Sequence, residues 1–145
     1  MKSSTHLVYG VLAGTVYVIN TKANIETAIP SILLSGLGSL LPDIDIKNSY
    51  ISNLLLFPKC LNLKHRGFTH SVTLATAVTF INVPLGIGMF SHIALDLLNY
   101  KSIKLFEPFS DKKFALKLCK TNSKADDFLR LLGTAGIIFV LIMWI

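Results

Sequence analysis

At five places this sequence runs through apolar residues for three or more helical turns: Leu7 to Asn20, roughly Ala23 to Leu41, Val72 to Val83, Leu85 to Asn99 and Phe128 to Ile145. Glu26, Asp96 and Arg130 are the only charged side chains inside them, with His92 the one imidazole. A soluble domain carries about 25% charged residues. Here the share is 15% and the mean hydropathy +0.59, too little charge for a surface that faces water. A chain of 145 residues has room for one domain. The pattern therefore predicts a single all-α domain over residues 1–145. Its form is a polytopic bundle of about five helices in the cell membrane.

The runs differ in length. Phe128 to Ile145 is about long enough to span a bilayer, with Trp144 at the far interface. The first, third and fourth are short for ~30 Å of hydrocarbon, so they thin the bilayer or the bundle stands partly proud of it. Val72 to Val83, rich in Thr, Val and Ala, fits a strand when taken alone. The first run has the basic start and short core of a signal peptide, but Ala13, Gly14 and Asn20-Thr21-Lys22 make a poor cleavage site.

Basic residues fall in the gaps between runs, with no aromatic interleaving and no recognisable nucleic-acid module, so the net charge of +6 does not point to nucleic acid. They read as topology signals and as contacts to acidic lipid headgroups. With the N-terminus cytoplasmic and five crossings, Lys22 alone of the fourteen lies outside. Cys60 and Cys119 are far apart and form neither a disulfide framework nor a zinc ribbon.

The polar residues that remain are grouped. His65-Arg66-Gly67-Phe68-Thr69-His70-Ser71 precedes the third run, with glycine to let the chain turn and Thr69 or Ser71 to cap a helix. His6, Gly10 and Gly14 share one helix face, and the two glycines admit another helix there. Pro42 ends the second run, and an extended Asp43-Ile44-Asp45 would put both carboxylates on one side. His92 and Asp96 lie one helical turn apart. Each has an ordinary reading alone: exposed loop histidines, a solvated turn, a hydrogen-bonded core imidazole. The topology, set by lysines and arginines, brings all four histidines and three of the eight acids to the cytoplasmic side. That convergence favours a metal site, since neutral imidazole is the commonest protein metal ligand and an intramembrane charge needs a partner or a cavity.

The blocks Thr5-His6-Leu7, Leu41-Pro42-Asp43-Ile44-Asp45 with Ser49, His65 to Ser71, and Ser91-His92-Ile93 with Asp96 resemble, in order, the YdjM-like family of membrane-bound metal-dependent hydrolases. Pro108-Phe109-Ser110 resembles the block that closes the family's pattern. The sequence departs from the family at Ile46, where many members have histidine, and at Tyr100-Lys101, which lacks a Pro/Gly turn. The order of motifs is also distantly similar to the zinc-dependent phospholipase C and single-strand nuclease group.

The resemblance implies hydrolysis at one or two divalent metals on the cytoplasmic membrane face. Its best ligands here are Asp43, Asp45, His70, His92 and Asp96, with His6 next. Mixed imidazole and carboxylate suit zinc, and also manganese or iron. Arg66 would hold an anionic substrate, and His65 would complete the coordination or protonate the leaving group. A site at the lipid surface favours a phospholipid or another amphipathic phosphoester. The alternatives are a non-catalytic membrane protein that binds or conducts metal, and a polar cluster that only clamps helices. Against conduction, the outer half offers Glu26 as its one acid. Homo-oligomerisation through the small-residue faces is left open.

Overall fold

The computed structural model describes residues 1–45 and 66–144, the side chain of Asp45 excepted. They form five α-helices: α1 (Ser3–Asn20), α2 (Ile25–Gly38), α3 (Val72–Ile81), α4 (Val83–Leu97) and α5 (Lys124–Trp144). No strand occurs among the described residues. Two isolated bridges, Asn99 to Cys119 and Ile103 to Phe114, brace the segment between α4 and α5. The expected all-helical architecture is present.

Val72–Ile81, compatible with a strand when taken alone, forms α3 as the helical architecture expects. Ser71, one of the two expected caps, accepts a hydrogen bond from the Leu74 N–H at 3.1 Å, the bond that starts a helix where the backbone is still extended. Asn82 ends α3 and caps α4 in the same way, taking the Leu85 N–H at 2.9 Å. One local expectation needs correcting, that for Asp43 and Asp45. Leu41–Asp45 is a 3-10 turn and not extended chain, because the fixed φ of Pro42 suits the first residues of a helix. At three residues per turn, side chains two apart no longer share a face. The chain turns at Arg66 and Gly67 as expected: Gly67 has φ −93° and ψ −132°, outside the regular regions, and Arg66 takes the left-handed conformation at φ 65°.

α1, α2 and α4 pack against one another, α5 lies on α1, and α3 lies on α4. Missing side chains set these approaches. Gly10 and Gly14 press against α2, where Ser35 Oγ donates to the Gly10 carbonyl at 2.8 Å. A Cβ on Gly14 would meet Ser35 Cβ at 2.8 Å. Gly88 does the same for α4: a Cβ there would strike the Ser35 carbonyl oxygen and lie 2.7 Å from the Ser39 nitrogen. Gly133 of α5 faces Val8 and Tyr9 of α1.

The distribution of polarity is inverted relative to a water-soluble domain. A small apolar core joins Ala75, Met89, Ile93 and Ile103. Many of the other fully buried side chains are polar, including Thr5, His6, His70, His92, Asp96, Asn99 and Asp126. Phe80, Ile81, Leu33 and Ile142 point outward. Among the described residues α5 is the one helix long and apolar enough to cross a membrane; α2, α3 and α4 are shorter apolar helices. At 21 residues α5 is about 31 Å long.

Candidate metal centre

Four segments meet at one buried cluster. α1 brings His6 in its first turn, the turn after α2 brings Asp43, the turn before α3 brings His70, and α4 brings His92 and Asp96. The helical interval between the last two puts both on the face that Gly88 presses against α2. His6 Nε2 lies 3.5 Å from Asp96 Oδ1. His70 Nε2 lies 3.6 Å from Asp43 Oδ1 and 3.7 Å from Asp96 Oδ2. His92 Nε2 is 3.8 Å from the same two carboxylate oxygens. The His6 and His92 rings stack with centroids 3.7 Å apart, and His70 meets His92 edge-on at 5.0 Å.

Orientation is imposed from behind. His92 Nδ1 is 2.6 Å from the Ser39 carbonyl, which can only accept, so Nδ1 carries the proton and Nε2 turns a lone pair toward the carboxylates. Outer partners of this kind fix the tautomer of metal-binding histidines. His70 Nδ1 is 3.1 Å from the Thr69 hydroxyl. His92 Nε2 and His6 Nδ1 are buried nitrogens without a hydrogen bond. Such groups are rare in folded proteins.

The donors fall into two sets, His6/Asp43/His92 and His70/His92/Asp96, whose ligand atoms lie within 4.8 Å of one another. Tetrahedral neighbours around a zinc-sized ion, with bonds of about 2.0–2.2 Å, stand about 3.3–3.6 Å apart, close to the 3.5–3.8 Å between imidazole nitrogens and carboxylate oxygens here. The donor set, its burial and the orphaned Nε2 fit a divalent metal. Burial alone would push the Asp43 carboxyl up, but the His70 hydrogen bond and the interactions with the His92 and His6 imidazoles when protonated outweigh it and bring the carboxyl to about 2. Asp43 is thus an anion at any pH where imidazole is a ligand.

Arg66 lies beside this cluster. Its Nη2 is 3.1 Å from Asp96 Oδ2 and its Nη1 donates to the Lys101 carbonyl at 2.6 Å. The guanidinium is thus engaged by a candidate ligand. Left-handed backbone costs an ordinary residue about 1–2 kcal/mol, and such strain is characteristically retained at functional sites.

His6, Asp43, His70, His92 and Asp96 are brought together as expected, with Arg66 at their edge. His65 and the side chain of Asp45 lie outside the described residues. Nothing in the residue pattern signals the Ser39 carbonyl, nor the Met1 amino group 3.1 Å from Asp96 Oδ1. Asp126 lies in the first turn of α5. Fully buried, it accepts from Thr5 Oγ1 at 2.8 Å, Asn122 N–H at 3.0 Å and Lys2 N–H at 3.2 Å. It fixes the start of α1 one residue from His6, which accounts for the threonine of Thr5-His6-Leu7.

An all-helical chain with its apolar side chains outward and a His/Asp cluster able to hold metal inside is, by fold and site, a membrane protein with a candidate metal centre. The chain belongs to the YdjM inner membrane protein family, whose sequence model matches residues 1–145. Comparison with curated proteins and with solved structures gave no match.

Proposed function

We propose that this protein is a multi-pass membrane hydrolase of a phosphoester, most simply a phospholipid, using a divalent metal held by His6, Asp43, His70, His92 and Asp96 near the cytoplasmic face. The observation that carries this reading is His92: its Nδ1 is spent on the Ser39 carbonyl while its buried Nε2 faces two carboxylates and makes no hydrogen bond. When bound, the metal would acidify a water to hydroxide and polarise the phosphoryl oxygen.

The chain's own residues do the rest. Asp43 and Arg66 are the least buried of the group, each with 12% side-chain exposure, so an anionic substrate approaches from their side. Arg66 steadies Asp96 and offers the one guanidinium of the group to a phosphate. His65 keeps its expected role as leaving-group acid or further ligand.

Zinc-loaded protein in detergent should cleave the diester bis-p-nitrophenyl phosphate, lose the activity to a chelator and regain it with added zinc. No cleavage by a fully metallated, folded sample, of this diester or of phospholipid vesicles, would remove the hydrolase. The helix-clamp reading has its own support in the Arg66–Asp96 pair and the stacked imidazoles, which hold the segments together by themselves. It requires the protein to purify without metal and to stay folded under chelation.

The cytoplasmic placement rests on the positive-inside bias. Cysteine introduced at Lys112, in a chain with Cys60 and Cys119 replaced, should react with a membrane-impermeant maleimide in inside-out vesicles and stay silent in intact cells. The opposite labelling would reverse the topology and leave the cluster's geometry unchanged.

A further inference from the structure

The segment between α4 and α5 supplies none of the candidate ligands, yet it is tied to them. Arg66 reaches Asp96 with one nitrogen and the Lys101 carbonyl with the other. The Val72 N–H, at the start of α3, donates to the Leu105 carbonyl at 2.8 Å. Ile103 is wholly buried in the apolar core. Hydrogen bonds in both directions between Ile103 and Phe114, at 3.0 and 2.9 Å, close residues 103–114 into a hairpin-like finger.

The tip of that finger has the wrong surface for water. Phe109 is 84% exposed and Phe106 48%. The exposed Lys112 and Lys113 follow directly. The acids of the tip, Glu107 and Asp111, both pair with Lys104, and with Lys112 and Lys113 beyond them residues 103–114 keep a net positive charge. Aromatic rings backed by ammonium groups match the boundary between acyl chains and phosphates: rings favour the interface, and lysines there are drawn to anionic headgroups.

We propose that the finger at residues 103–114 is a docking surface for anionic phospholipid, with Phe109 and Phe106 in the headgroup–acyl boundary and Lys112 and Lys113 on lipid phosphates. An acidic protein would satisfy the lysines alone. The exposed ring of Phe109 and the open face of Phe106, whose other edge meets Phe114, on a protein of an inner membrane family, favour lipid. Since Arg66 joins this segment to Asp96, docking holds the headgroup layer against the more open side of the cluster. The inference does not depend on the cluster being catalytic or metal-bound.

The test places a single tryptophan at the tip, Phe109→Trp in a Trp144→Phe chain, an exposed aromatic exchange that leaves the core untouched. The protein is reconstituted in nanodiscs of phosphatidylcholine alone or with phosphatidylglycerol. With phosphatidylglycerol the emission should shift to the blue and be quenched by brominated acyl chains. Both effects should weaken in high salt and be lost when Lys112→Glu and Lys113→Glu are added. Water-like emission in both lipids would overturn the proposal and leave a soluble partner as the ligand of the tip. Equal quenching in both lipids, indifferent to the lysine changes, would overturn its anionic selectivity.

Discussion

The double variant His92→Ala/Asp96→Ala should emerge from purification without metal, and the native protein should carry about one or two equivalents of zinc, manganese or iron. His92 belongs to both donor sets and Asp96 to one of them, so their loss leaves neither set complete. Elemental analysis of the detergent-purified protein reads the difference directly. Asp96→Ala also deprives Arg66 of a carboxylate 3.1 Å away, and a buried charge stripped of its partner is destabilising. The single variants His92→Gln and Asp96→Asn, checked by helical circular dichroism, keep metal loss separate from unfolding. A native protein free of metal, still free after zinc is resupplied and with its fold intact, would leave the helix clamp as the surviving reading.

The second large effect belongs to a residue that touches no ligand. Gly88→Ala should weaken metal binding by roughly 10–100-fold, the range for removing an outer-shell partner, and cost about 1–3 kcal/mol of stability through overpacking. The added methyl group runs into the Ser35 carbonyl and the Ser39 amide, which are backbone and cannot swing aside. α4 must then move away from α2, and His92 Nδ1 moves away from the Ser39 carbonyl that orients it. Competitive titration against a zinc chelator measures the affinity and thermal unfolding the stability. Affinity equal to the native protein's would mean that the close α2–α4 approach does not hold His92 in place.

Periodicity and charge carried much of this structure into the sequence. The positions of His6, Gly10 and Gly14 at helical intervals correctly put an imidazole on a helix–helix contact, and the His92/Asp96 interval put both groups on one inward face. What was missed has physical causes. The conformation of Asp43 depended on how a proline followed α2, which composition does not decide. The Ser39 carbonyl was invisible because every residue has one. The long-range role of Asp126 was invisible because Thr5 and Lys2 lie more than a hundred residues away, and of its carboxylate bonds only that to Asn122 is local.

That separation also bears on how the protein is made. The acceptor for the Thr5 hydroxyl is 121 residues downstream, and the carboxylate nearest His6 belongs to residue 96. At a synthesis rate of about 5–20 residues per second, the first helix is out for roughly 6–24 seconds before Asp126 exists. His6 is without its carboxylate until residue 96 is made, and Thr5 is without its acceptor until residue 126. Formation of the first helix and its final packing are therefore separable in time, and the last of its contacts is set by the far end of the chain.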